Sequence, residues 1–321
     1  MISRDDVEAA REQTAGLVRV TPVLEAGRGA LPLGGPAGRV PGELVLKLEL
    51  LQHTGSFKAR GALHRVLSAR AAGRLDPDVG VVVASGGNAG LAVAWAAARA
   101  GVPATVVVPE RAPVVKVARL RELGATVVLA GAEYAEAQAV AQEHRERTGA
   151  LWCHAYDQPE VAAGAGTLAL ELLEQVARRV DTVVVAVGGG GLVAGVAAAL
   201  EGTGTRVVGA EPVRAPTLHA ALAAGTPTDV AVSGVAADSL GARRVGEIAF
   251  DVARRTGVVP VLVEDADIVA ARALLWREWR TVVEHGAAAA LAALTAGSYV
   301  PGADERVAVV LCGANTDPTD L

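Results

Sequence analysis

The 321-residue chain is short of several things, and each shortage narrows what it can be. Cysteine occurs twice, at Cys153 and Cys312, too few and too far apart for a zinc cluster or a disulfide framework. A reducing, cytoplasmic setting is expected. Aromatic residues make up only 3% of the chain while 51% is hydrophobic, so the core must be aliphatic, mostly Ala and Val. The net charge is −5 and no Lys/Arg block stands out, which excludes a nucleic-acid footprint. The start, Met1 to Glu8, is charged and acidic, unlike a secretory signal. One run, 182–200, carries no charge and is long enough to raise the question of a membrane span. Four consecutive glycines within it would weaken any helix, so no membrane partner is expected.

What is present is a rhythm. Residues 3–15 read as an amphipathic helix capped by Ser3, Thr21 opens an extended segment, and Leu44–Glu49 is a short strand. From residue 80, Val-rich runs alternate with Ala-rich helical windows, the βαβ pattern of a parallel sheet. The runs are 80–84, 104–108, 125–129, 182–187, 206–211, 259–263 and 306–311. Their apolar character implies helices on both faces. A polar stretch near 144–151 closes the first three units. Two open, mostly parallel three-layer α/β domains are expected: a small one at 70–150 and a large one from 1–69 plus 151–321. Ligands in such sheets bind beyond the carboxyl ends of the strands.

Four strand-end segments carry chemistry. Lys58 lies behind a Gly55-Ser56 turn and Phe57, at the start of a helix that Ser56 could cap. The positive end of the helix dipole would loosen its proton, which suits a nucleophilic amine; an ordinary surface lysine is the alternative. Ser85-Gly86-Gly87-Asn88 after the first Val run leaves backbone N–H groups bare at a helix start, a seat for a carboxylate or simply a tight turn. Gly188, Gly189, Gly190 and Gly191 can wrap a phosphate. Gly189, Gly191 and Ala194 also satisfy G-x-G-x-x-A, with Glu211 at about the distance of a ribose contact, so a nicotinamide oxidoreductase competes. Cys312 ends the last run, either as an uncharged partner for a ring nitrogen or as a buried small side chain.

Together these segments resemble one family. Ser56-Phe57-Lys58 with Arg60-Gly61, Ser85 to Asn88, Gly188 to Leu192, Gly209 to Pro212 and Cys312-Gly313-Ala314-Asn315 occur in order, from about Thr21 to Asn315. The pattern is similar to the fold-type II (tryptophan synthase β-like) pyridoxal-phosphate enzymes, specifically the serine/threonine dehydratase group. The resemblance implies that Lys58 holds pyridoxal 5′-phosphate as an imine, with Phe57 beside the ring. It implies that Gly188–Gly191 cradle the phosphate, that Asn88 faces the ring's 3′ oxygen, and that Cys312 approaches the ring nitrogen. Ser85, Gly86, Asn88 and Ala89 would bound the substrate carboxylate. The implied activity is β-elimination from L-threonine or L-serine to a 2-oxo acid and ammonia, by a homodimer. A bulkier or charged 3-hydroxy amino acid is the alternative on the same scaffold.

Some positions depart from relatives. Gly86 stands where similar racemases carry a second catalytic serine, so racemisation should be weak. Ala89 replaces the histidine of many bacterial threonine dehydratases. Glu211 and Ala215 match two of three cation ligands, but Thr217 stands third, which disfavours a divalent ion and leaves a monovalent one. The 232–241 stretch and Glu284-His285-Gly286 also differ, which bears on the β-substituent. No regulatory domain follows, so feedback control by isoleucine is not expected.

Overall fold

A computed structural model describes residues 1–31, 42–132, 134–176 and 179–320. The chain begins with α1 (Arg4–Thr14), closed by a capping box in which Ser3 and Asp6 satisfy each other's backbone N–H. There follow β1 (Val23–Arg28), β2 (Glu43–Lys47), α2 (Lys58–Ala71), β3 (Val81–Ala84), α3 (Asn88–Ala100), β4 (Ala104–Val108), α4 (Val114–Glu122), β5 (Thr126–Leu129), α5 (Tyr134–Thr148) and β6 (Leu151–Trp152). The second half runs α6 (Pro159–Gln175), β7 (Thr182–Ala186), α7 (Gly191–Leu200), β8 (Arg206–Pro212), α8 (Thr217–Ala224), α9 (Glu247–Thr256), β9 (Val259–Val263), α10 (Asp265–Trp279), α11 (His285–Thr295) and β10 (Arg306–Val310). Each expected Val-rich strand appears within a residue of its predicted ends.

The strands form two sheets. The larger has the order β1-β2-β10-β7-β8-β9, parallel except for the β1–β2 pair. The smaller is all parallel, in the order β5-β4-β3-β6. It takes Leu151–Trp152 as its fourth strand, and α2 contributes Leu63 and Val66 to its core. Strand order reverses at β3 in one sheet and at β7 in the other, so the crevices where ligands bind open just beyond Ala84 and Ala186. The segments 85–88 and 188–191 occupy those positions.

Aliphatic burial builds the layers. Val183, Val184 and Val185 are fully buried, as are Ala287 to Ala290 of α11. Small residues let the helices approach closely. A Cβ on Gly61 would strike the Val161 carbonyl of α6, and one on Gly195 of α7 would strike the Ala162 carbonyl. Helix α6 thus clamps α2 on one side and α7 on the other, fixing the two helix starts that matter below. Among the described residues no helix is long and apolar enough to cross a membrane.

Candidate active site

The Lys58 segment is sewn to the end of β10. Leu50 N–H donates to Leu311 O (2.8 Å), Phe57 N–H to Cys312 O (3.0 Å), and Ala314 N–H to Gly55 O (2.9 Å). Ser56 bridges Gly313 in antiparallel fashion. This lacing corrects the expected Ser56 cap. Ser56 is extended (φ −159°, ψ 159°), the helix starts one residue later with Phe57 at its N-cap, and no side chain caps it. The buried Ser56 hydroxyl has no hydrogen-bond partner among the described residues. Lys58 is half-buried; its Nζ donates to Ala155 O (2.7 Å) and lies 5.0 Å from the centre of the Phe57 ring. Burial lowers its pKa to about 8, against the opposing influence of the Glu284 carboxylate. A useful fraction of the amine is therefore free at neutral pH, the state a nucleophile needs.

Beyond β3, Ser85 Oγ accepts from Gly87 N–H (3.3 Å) and Asn88 opens α3. The Asn88 side chain is held on both sides. Its Nδ2 donates to Glu284 Oε1 (2.8 Å) and Oε2 (3.0 Å), and its Oδ1 accepts from Asn315 Nδ2 (2.6 Å). A Cβ on Gly86 would lie 3.2 Å from Val108 Cγ1, so a side chain there requires that valine to give way. Ala89 lines, with Lys58, Ala92, His154 and Val161, a cavity of about 10 Å³.

The glycine loop crosses from β7 into α7. Gly190 has φ +88°, which favours glycine, and a Cβ there would overlap that of Ala249. A Cβ on Gly189 would overlap the Tyr156 ring. Among the described residues, nothing accepts the N–H groups of Gly188, Gly189, Gly190 and Gly191. Four bare donors at the start of an α-helix suit a phosphate. Cys312 is 4% exposed, and burial holds its thiol well above the usual range, so it carries no charge. Glu284 is likewise buried, and burial raises its pKa to about 7 against the Asn88 hydrogen bond.

Glu211 is not at this site's disposal. Its carboxylate accepts from Leu218 N–H (2.7 Å), His219 N–H (2.8 Å) and Thr217 Oγ1 (3.1 Å), closing the start of α8. A ribose contact by Glu211 would break those bonds, and the nicotinamide alternative loses its acidic residue. The Ala215 carbonyl accepts from Thr217 N–H (3.1 Å). Both oxygen donors expected for a cation are thus hydrogen-bonded within the protein. Among the described residues no cluster of three or more His, Cys, Asp or Glu side chains is placed to hold a metal ion, and no step below depends on one.

A primary amine of lowered pKa, four bare N–H groups, an unpartnered buried hydroxyl and a neutral thiol fit a group bearing an aldehyde, a phosphate and a ring nitrogen. Residues 15–313 match the family described as pyridoxal-phosphate dependent enzyme. The chain belongs to that family. The L-threonine ammonia-lyase of Thermotoga maritima is 35% identical over 320 residues, 99% of this chain and 76% of that protein. The phenylserine dehydratase of Ralstonia pickettii is 38% identical over 284 residues, 87% of this chain and 85% of that one. A solved threonine deaminase from T.th. superimposes with a TM-score of 0.87 at 36% identity, covering 98% of this chain and 99% of that chain. As a pyridoxal-phosphate dependent enzyme, the chain has a site larger than its motifs announce. Glu284 and Asn315 hold the Asn88 side chain, and Tyr156 packs on the glycine loop. Asn315 ends the Cys312-Gly313-Ala314 motif, and Glu284 is the one acidic residue in the apolar approach to α11, signals that local pattern alone leaves without a role.

Proposed function

We propose that this enzyme is an ammonia-lyase that eliminates water from L-threonine or L-serine, after which the enamine tautomerises to an imine and water adds back as ammonia leaves, giving a 2-oxo acid. The observation that carries the reading is Lys58, a partly buried amine of lowered pKa whose Nζ donates to Ala155 O, one residue from the Tyr156 that packs on the glycine loop, and which senses Glu284 and Cys312. The names of its relatives, an L-threonine ammonia-lyase and a threonine deaminase, support it.

The residues divide the work. Lys58 Nζ would hold the cofactor covalently, and as a free amine it would be the base for the Cα proton. Gly188–Gly191 bind the phosphate through their N–H groups, aided by the α7 dipole. Phe57 would pack beside the ring, and Ser85, Gly86, Asn88 and Ala89 would seat the substrate carboxylate at the start of α3. When bound, pyridoxal phosphate supplies the electron sink for the carbanion left at Cα. The neutral Cys312 thiol gives the ring nitrogen no proton, which favours expulsion of the β-hydroxyl over transamination. In this reading 70–150 carries the carboxylate seat and the rest of the chain the cofactor, in a cytoplasmic homodimer.

The test is an absorption spectrum of the purified protein before and after borohydride, followed by a 2-oxo acid assay on serine, threonine and phenylserine. A long-wavelength band abolished by reduction, with serine and threonine turned over faster than phenylserine, is expected. No band after added pyridoxal phosphate would sink the lyase; faster turnover of phenylserine would reassign its substrate.

A further inference from the structure

A line of hydrogen bonds crosses the site. Arg119 Nη1 on α4 donates to Asn315 Oδ1 (3.0 Å), Asn315 Nδ2 donates to Asn88 Oδ1 (2.6 Å), and Asn88 Nδ2 donates to the Glu284 carboxylate (2.8 and 3.0 Å). Asn315 Nδ2 also donates to Thr54 O (2.8 Å). The line passes between units at every step. Arg119 and Asn88 stand on helices of the smaller sheet, whereas Asn315 and Glu284 flank β10 and α11 of the larger.

We propose that Arg119, Asn315 and Glu284 are positioning residues that fix the direction of the Asn88 amide across the two units. The proposal rests on the pyridoxal-phosphate reading above, in which Asn88 meets the cofactor ring. The physical basis is the hydrogen-bond inventory. An amide can face either way, but a guanidinium only donates, and a backbone carbonyl or an ionised carboxylate only accepts. With Arg119 at one end and Thr54 O and ionised Glu284 at the others, each amide has one orientation that leaves no donor facing a donor. A protonated Glu284 both donates and accepts, so the direction of Asn88 then rests on Asn315 alone.

The groups facing Glu284 set when this happens. Lys58 comes from α2, Asn88 from α3, Lys116 from α4, Asp238 from the loop before α9, and Cys312 from the end of β10. Lys116 is itself paired with Asp238 (2.5 Å), so their opposite charges largely cancel at Glu284. Burial is the dominant influence, and it places the Glu284 titration at about pH 7. Below that pH the relay loses one of its fixed ends and is held from the Arg119 side only; above it both sides hold.

The experiment is a pH titration of the absorption band of the cofactor-loaded enzyme, with kcat, for wild type, Glu284→Gln, Asn315→Ala, Arg119→Ala and the Arg119→Ala/Glu284→Gln pair. Wild type should show an inflection near pH 7 that Glu284→Gln abolishes. Each single variant should lower kcat about 10–100-fold, as misorientation does, while still binding the cofactor. Arg119 and Glu284 do not touch, so in a merely structural role their losses would multiply. In a relay the double variant should fall little below the worse single one. An inflection that survives in Glu284→Gln, or multiplying losses in the pair, would overturn the proposal. A wild-type enzyme with no band at all would overturn the proposed function as well, a result distinguishable from either. Arg119 is exposed, so its variant tests the relay even if Glu284→Gln folds poorly.

Discussion

Lys58 and Arg60 stand almost side by side on α2, and both are cations taken largely out of water, yet their surroundings differ completely. Arg60 is 1% exposed and fully engaged: Nε and Nη2 grip Glu49 (2.8 and 2.7 Å), and Nη2 also reaches Glu171 (3.0 Å). Glu171 in turn accepts from Lys47 Nζ (2.5 Å), which also donates to Thr21 O (2.8 Å). Burial opposes charge here too and lowers the Lys47 pKa despite Glu171, but at Glu49 and Arg60 the partners win. Glu49 stays below the usual carboxylate range and Arg60 is held firmly protonated. Around Lys58 the balance runs the other way: amine, carboxyl and thiol are all pushed toward their neutral forms. A completed charge network fixes structure, whereas an incomplete one stores reactivity. The helix joins them, so the paired cluster anchors the start of α2 that the reactive one uses.

The largest expected difference comes from deleting each cation. Lys58→Ala should lower 2-oxo acid formation by at least about 10²–10⁴-fold, the contribution of the base alone, and it should leave the thermal midpoint near that of wild type. Measurable turnover near the wild-type rate would remove Lys58 from the chemistry. Arg60→Ala should do the reverse to stability. It leaves Glu49 buried without its partner, at a cost of about 3–5 kcal/mol in denaturant unfolding. A loss below about 1 kcal/mol would show that the cluster is not what holds α2 in place.

This contrast also marks what can be read from the chain directly. Val runs, glycine punctuation and the segments beginning at Ser56, Ser85, Gly188 and Cys312 are local, so strands, sheet class and four walls of the site follow from neighbouring residues. The Glu49–Arg60–Glu171–Lys47 cluster and the Arg119–Asn315–Asn88–Glu284 relay join residues far apart in sequence, and no periodicity announces such pairings. Ser56 shows a local rule losing to a distant one. As a serine before a helix it reads as a cap, but its bridge to Gly313 extends the backbone and takes the cap away. Glu211 is a similar case: its spacing from the glycines matches a ribose contact, while its carboxylate is committed to α8.

Cys312 offers the smallest and sharpest break in the comparison, because it is the titratable member of the reactive cluster that never needs a charge. Its Sγ is buried beside Lys58 and Glu284, and its carbonyl holds Phe57 N–H. Cys312→Ala keeps that backbone bond and removes only the thiol. A neutral hydrogen bond to the ring nitrogen contributes about 0.5–1.5 kcal/mol, so kcat should fall roughly 2–10-fold while the cofactor band persists. Cys312→Ser, which restores a neutral donor, should recover much of the loss. If both variants match wild type, the thiol is core packing and the reactive cluster shrinks to Lys58, Asn88 and Glu284. If only the serine variant recovers, the ring nitrogen senses a neutral partner, and elimination follows from the absence of charge there.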